Sequence, residues 1–400
     1  MQPDVPMTVR RTAPTLADAW AGDRNNFNLM RLVAAWLVIY GHAWAITGAQ
    51  GEDLVLQLTQ FKFAGSVAVD VFFVISGFLI AASLQRNAIG SYLASRALRI
   101  VPGLAVCVGL SAFVLGPLLT TAADYWHRPE PWRYFWANAS LTSNAYFLPG
   151  VFETLPRTAI NGSLWTLPIE ARLYIALMFA GLLGVLTPRR YTPLWLLTMA
   201  CGYAWARWSA PLPEWLANDA WCVAFFISGT ALWINRARVR LSWWILLALL
   251  LAAAATRGGP WFSIPYYLVL CYGTLFVAFV PRLPMLRHND LSYGLYLYGW
   301  PSQQLVQQFI APGGTPLRNM PLQNMPLQNV AWATALALAL AAASWFLVER
   351  PALRLKKRFG TQTPAASPAG AATAATSPPT RTPTPSRPSS RRSSSTSSPP

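Results

Sequence analysis

The chain has 400 residues, of which 54% are hydrophobic and 11% charged, and it carries 19 Trp. Roughly 25% of a soluble globular chain is charged, so a water-soluble enzyme or binding module is excluded and lipid is the expected solvent. The net charge of +17 would suit a nucleic-acid binder, but its carriers sit in short runs between long apolar segments rather than along one face. That pattern points to membrane topology and away from nucleic acid. Cys107, Cys201, Cys222 and Cys271 fall far apart inside apolar stretches. Neither a zinc pattern nor a disulfide framework is supported, so they read as small core residues and no metal is expected.

Residues 1–28 are polar, carry Arg10, Arg11 and Arg24, and read as a cytoplasmic N-terminal segment. The first apolar run starts too late and runs too long for a cleaved signal peptide. Crossing ~30 Å of hydrocarbon takes about 20 mostly apolar residues. Ten windows qualify: 29–47, 64–84, 98–119, 163–186, 192–208, 215–234, 241–256, 261–280, 289–310 and 330–348, the fifth and seventh being short. Lys and Arg in short loops mark the cytoplasmic side. With the N-terminus inside, the inner connections hold Arg86 and Arg96, Arg189 and Arg190, then Arg236, Arg238 and Arg240, then Arg282 and Arg287. The last window exits into Arg350, Arg354, Lys356, Lys357 and Arg358. The expected fold class is therefore all-α, a polytopic membrane protein of about ten transmembrane helices with both termini cytoplasmic. It is placed in the cell inner (plasma) membrane.

The membrane domain is expected to span 29–358. Its external loop, 120–162, is rich in aromatics (Tyr125, Trp126, Trp132, Tyr134, Phe135, Trp136) and suited to an interfacial cap over the external mouth. Residues 315–329 read TPLRN, MPLQN, MPLQN, a tandem repeat with a proline in every unit that argues against a regular helix. Residues 359–400 form a Pro-, Ser-, Thr- and Ala-rich tail without side chains to nucleate a core, expected to be disordered and cytoplasmic.

Charged side chains at bilayer depth cost several kcal/mol unless paired or hydrated, so each is a candidate for function. Arg31 and His42 lie eleven residues apart on one window, on the same helix face and ~16 Å apart along it. Asp70 and Glu170 enter from the external side and are expected at a depth similar to His42. A His flanked by carboxylates is what general-base chemistry on a hydroxyl requires, with one carboxylate holding the imidazole tautomer while Nε2 takes the proton. The plainer alternative is a set of buried polar groups bridging helices. Arg31 could equally be a snorkelling anchor. Arg96 and Arg99, three apart at a helix start, could anchor topology or form a fork for phosphates.

These residues sit in strings that resemble the integral-membrane acyltransferases called acyltransferase family three, which act on bacterial O-antigens, exopolysaccharides, nodulation factors and macrolides. The resemblance covers 25–351. It runs through NNFNLMRLVAAWLVIYGHAW with Arg31 and His42, and GSVAVDVFFVISGFLI with Asp70, Phe72, Phe73, Ser76, Gly77 and Phe78. SRALRIVPG carries Arg96, Arg99 and Pro102, and SLWTLPIEARLY carries Trp165, Leu167 and Glu170 with Thr166 replacing the commoner Ser. LSYGLYLYGWP follows, with Gly299 where a His commonly falls, and VERPALR closes the match with Glu349, Arg350 and Pro351.

The resemblance implies transfer of an acyl group, commonly acetyl from cytoplasmic acetyl-CoA or another acyl-CoA, to a hydroxyl of an exopolysaccharide, lipopolysaccharide or lipid-linked sugar. It implies that His42 is catalytic and that Arg31, Arg96 and Arg99 meet the CoA donor. Trp165, Ser76 and Tyr296 are candidate oxyanion donors. The family often has an extra helix and a fused extracytoplasmic esterase-like domain, neither of which is expected here. Expected partners are the glycan or lipid-linked sugar acceptor, membrane lipid and other proteins of envelope polysaccharide biosynthesis. The competing reading is a ten-helix transporter or flippase for a lipid-linked sugar, with the same ionisable residues as a relay.

Overall fold

The computed structural model describes residues 13–22, 24–286, 289–309 and 325–356. The tail from 359 and the first two repeat units, 315–324, lie outside the described residues. Among the described residues there is no strand, only an isolated bridge between Thr15 and Arg240. Beside that bridge lies α1 (Leu16–Ala21), opened by a capping box in which Thr15 and Asp18 satisfy each other's backbone N–H.

The bundle is built from α2 (Phe27–Thr47), α3 (Leu54–Thr59), α4 (Ala64–Leu84), α5 (Ile89–Leu110), α6 (Gly116–Leu119) and α7 (Glu130–Ala139). It continues with α8 (Thr166–Leu182), α9 (Pro188–Trp208), α10 (Glu214–Ile234), α11 (Trp243–Thr256) and α12 (Ser263–Phe279). The last elements are α13 (Ser292–Phe309), α14 (Met325–Ser344) and α15 (Arg350–Arg354). A π-turn at Ser111–Leu115 joins α5 to α6, and another at Trp345–Glu349 joins α14 to α15. Five stretches are long and apolar enough to cross a membrane: Phe27–Thr47, Ala64–Leu84, Ile89–Leu119, Glu214–Ile234 and Met325–Arg354. Trp243–Thr256 and Ser263–Phe279 are apolar but shorter.

Helix α4 is the hub, packed against α2, α8, α10 and α12. It meets α10 backbone to backbone, because a Cβ on Gly77 would strike the Phe226 carbonyl and one on Gly229 would strike the Val74 carbonyl. Helices α9 and α11 lie at the edge. α11 buries none of its residues and exposes Trp243, Trp244, Leu247 and Leu251, a surface suited to lipid and not to water. Cys201 on α9 is exposed, which corrects its reading as a core residue; Cys107, Cys222 and Cys271 are buried, and all four thiols are free.

Two further sequence expectations change. The last repeat unit, Met325–Asn329, opens α14 with Pro326 in its first turn, where a missing N–H is tolerated. The loop helix α7 packs on α5 and the first π-turn, with Tyr134 buried and Trp126, Trp132 and Trp136 exposed. It flanks that side of the bundle. The part of the loop that runs beside α13 is its end, near 157–165.

That end explains the third difference, the late start of α8. The apolar window began at 163, but the chain runs beside α13 as an irregular segment before helix begins at Thr166. Trp300 Nε1 donates to the Ala159 carbonyl (2.9 Å), Asn161 Nδ2 to the Leu297 carbonyl (2.8 Å), and the Tyr296 hydroxyl to the Ser163 carbonyl (2.6 Å). Ile160, Asn161 and Ser163 are buried. Non-helical backbone at membrane depth is tolerable only where protein groups satisfy it, and here α13 supplies them.

Candidate active site

At one end of the bundle, three helices bring a cluster of four charges together. Arg31, early in α2, donates to Asp290 Oδ2 (3.3 Å), and Arg99 on α5 donates to the same oxygen (2.7 Å). Arg99 also reaches Glu349 Oε2 (3.3 Å), whose other oxygen accepts from Ser344 (3.0 Å). Ser344 and Glu349 are five apart, the spacing that the π-turn stacks on one face. Arg96 points elsewhere: its Nε donates to Ser95 Oγ (3.3 Å), and it has no acidic partner among the described residues. The arginines anticipated to meet the donor are therefore split, two braced by carboxylates and one without.

Next to this cluster lies a cavity of ≈ 50 Å³ lined by Arg31, Val69, Phe72, Phe73, Ser76, Thr166, Leu167, Glu170, Ser292, Tyr293 and Tyr296. Glu170 Oε1 accepts from Ser76 Oγ (2.8 Å) and from the Tyr174 hydroxyl. The Tyr296 hydroxyl, besides its bond to Ser163, shares a 2.6 Å hydrogen bond with Thr166 Oγ1. Arg31, Glu170, Ser76 and Tyr296 thus share one cavity. Trp165 does not line it; it ends the irregular segment just before α8, half-buried.

His42 stands apart from both carboxylates. Its Nδ1 lies 2.7 Å from the Val38 carbonyl one turn earlier, so Nδ1 carries the proton and Nε2 keeps a free lone pair. The ring is flanked by Phe63 (5.2 Å between centroids, 81°) and Trp300 (4.9 Å, 64°). A Cβ on Gly65 would lie 3.1 Å from His42 Cε1, which puts the imidazole at the first turn of α4. Ser76, the partner of Glu170, is eleven residues further along α4, ~16 Å deeper. The expected common depth of His42 and Glu170 is not what the geometry shows, because the irregular segment delays α8 and carries Glu170 inward.

Asp70 is also elsewhere. Its buried carboxylate accepts from Lys62 Nζ (2.8 and 3.0 Å) and from the Tyr266 hydroxyl (2.6 Å). Neither it nor Glu170 hydrogen-bonds His42; the tautomer is set by a backbone carbonyl instead. Lys62, Asp290 and Tyr174 are site neighbours that sequence reasoning passed over. Lys62 carried a signal, as a lone basic residue just ahead of an apolar run that contains one acid.

Gly299 packs against α2, where a Cβ would fall 2.8 Å from Ile39 Cγ1. The imidazole common in the resembled family has no room here. Replacing Gly299 with His is expected to overpack the α2–α13 contact and lower stability by about 1–3 kcal/mol, read as a reduced thermal midpoint of the purified protein. An unchanged midpoint would show that the two helices can move apart.

An apolar helix bundle that keeps ionisable side chains and a polar-lined cavity in its interior has the layout of a membrane-embedded enzyme. The chain belongs to the acyltransferase family: the family's sequence model, described as an acyltransferase domain, matches residues 24–349. It is an acyltransferase for groups other than aminoacyl groups. The chain is 29% identical over 309 residues to a protein named O-acetyl transferase from Shigella phage Sf6, covering 73% of this chain and 88% of that relative. It is 26% identical over 392 residues to Nodulation protein 10 of Rhizobium leguminosarum bv. viciae, covering 84% of this chain and 95% of the relative. No solved structure shows a significant match. The transporter reading gains nothing from these matches.

Proposed function

We propose that this protein is an O-acyltransferase of the inner membrane that moves an acyl group, most simply acetyl, from cytoplasmic acyl-CoA to a hydroxyl of an envelope glycan or lipid-linked sugar. The observation that carries the reading is the arrangement along α2: Arg31 and His42 both face α4 and α13, with the polar-lined cavity beside Arg31. Ten spans with both termini cytoplasmic put Arg31 at the inner end and His42 toward the outer end. The name of the phage relative supports transfer to oxygen.

On this reading the donor's phosphates stay with Arg31, Arg96 and Arg99, and its long, thin arm follows the cavity past Ser76, Glu170 and Tyr296. The arm is comparable in reach to the ~16 Å between Arg31 and His42. His42 Nε2 takes the proton of the acceptor hydroxyl. The oxygen attacks the thioester carbonyl, the ester C–O bond forms, the C–S bond breaks, and the thiolate leaves with the proton returned by the imidazolium. Glu170, held by Ser76 and Tyr174, serves the donor channel and not the imidazole.

Two measurements test this. Mass spectrometry of surface and secreted glycans from cells with and without the protein should show a loss equal to one acyl group per modified sugar; identical glycans would refute the acceptor class. Arg31→Lys keeps the charge but loses the planar fork. It should raise the apparent KM for acyl-CoA with smaller change in kcat, and an unchanged KM would remove Arg31 from the donor site.

A further inference from the structure

We propose that Asp70 and Lys62 form a positioning device for His42: their buried ion pair fixes Phe63 against the imidazole and so sets the direction of Nε2. This rests on the reading of His42 as the base. It assigns a role to an intramembrane acid that does not touch the reacting groups.

Three observations carry it. First, the pair is tightly held. Lys62 Nζ meets both Asp70 oxygens, Tyr266 donates to the same carboxylate, and the ammonium sits 4.3 Å from the centroid of the Trp221 ring. The Lys62 and Asp70 side chains are only 14% and 3% exposed. Second, Phe63 follows Lys62 directly, in extended conformation at the start of α4. Its two flanks are pinned, since the Lys62 carbonyl accepts from Thr59 Oγ1 (3.1 Å) and the Ala64 N–H donates to Asp53 (3.2 Å). Third, the Phe63 ring has nowhere to relax. A Cβ on Gly41 would lie 2.8 Å from Phe63 Cδ2, and one on Gly65 would strike the same ring. Only glycine at both positions lets the ring sit between α2 and α4 and meet His42.

Trp300 braces the opposite side of the imidazole, itself tethered to the Ala159 carbonyl. A direct proton exchange between Asp70 and His42 is ruled out by placement. Gly65 is beside His42, and Asp70 is five residues on, turned ~140° around the helix toward α10 and α12. A buried ion pair is poor value for stability, because desolvation offsets its attraction. Here it holds one segment of chain in one position, which an apolar pair would not do.

The test is a double-mutant cycle on equal amounts of folded protein, with acetyl-CoA and a soluble sugar acceptor. Asp70→Asn should lower turnover on the order of 10²-fold, the scale of an ångström-sized misplacement, with the KM for acetyl-CoA unchanged. Phe63→Ala should lower it similarly. If Asp70 acts through Phe63, Asp70→Asn made in the Phe63→Ala protein should lower turnover by less than about twofold further. Asp70→Glu, which retains the pair, should recover part of the loss. Losses that multiply would overturn the proposal. If Asp70→Asn does not fold, the double variant Lys62→Met with Asp70→Leu removes both charges and keeps an apolar filling. It should fold and still lose turnover, and wild-type turnover in it would equally overturn the device. A His42→Gln protein with normal turnover would instead sink the reading of the base itself, so the two failures are distinguishable.

Discussion

Replacing His42 with Gln is expected to lower turnover by ~10² to 10⁴-fold, the usual contribution of a positioned general base, while acyl-CoA binding stays nearly intact. The amide fills similar volume and can still donate to the Val38 carbonyl, so the ring's anchor is imitated, but no basic nitrogen remains where Nε2 stood. A purely structural histidine predicts another pattern, with folded protein falling in proportion to activity and donor affinity falling with it. Binding and transfer rate measured on matched amounts of folded protein separate the two. A variant that binds donor and transfers at the wild-type rate ends the catalytic assignment.

Replacing Arg99 with Met should have the largest effect on stability. The guanidinium is the shared partner of Asp290 and Glu349, and Glu349 is 2% exposed. Without Arg99, Glu349 keeps the Ser344 hydroxyl and loses its counter-charge, while Asp290 retains the longer contact to Arg31. Breaking one side of a buried pair costs about 3–5 kcal/mol, so the thermal midpoint and the folded yield in detergent should both drop. Adding Glu349→Gln to Arg99→Met should return much of the loss, because an amide can be buried beside Ser344 without a charge. An Arg99→Met protein with the wild-type midpoint would show that the carboxylates are solvated in the bilayer and that the network is not a brace.

Much of the helical layout was legible because long apolar runs leave few alternatives in lipid. What sequence could not separate was apolar helix from apolar irregular chain. SLWTLPIEARLY reads as the start of a span, yet Ser163 to Trp165 precede the helix, held by Tyr296 and other groups of α13 that lie more than a hundred residues later. That shift of a few residues moved Glu170 away from His42. Asp70 was legible as an intramembrane acid but not its partners: Lys62 stands just ahead of the apolar window, and Tyr266 arrives only through the packing of α12 on α4. Arg31 and His42 needed no tertiary information to be placed on one face, since a single helix fixes their relation. Asp290 was passed over because it sits among arginines in a short connection, where an acid looks like solvated surface; its role depends on two distant helices converging.

The π-turn at Trp345–Glu349 makes the last helix one residue longer than a regular α-helix of the same reach. An indel there therefore acts as a rotation. Removing one residue between Trp345 and Leu347 would restore α-helical pitch and turn everything that follows by ~100° about the axis. Glu349 would swing off the face it shares with Ser344, and Arg99 would lose a partner with no side chain at the site having been changed. Spacing across this turn is thus as constrained as the identity of Glu349, and homologous chains that keep the acid are expected to keep the extra residue with it.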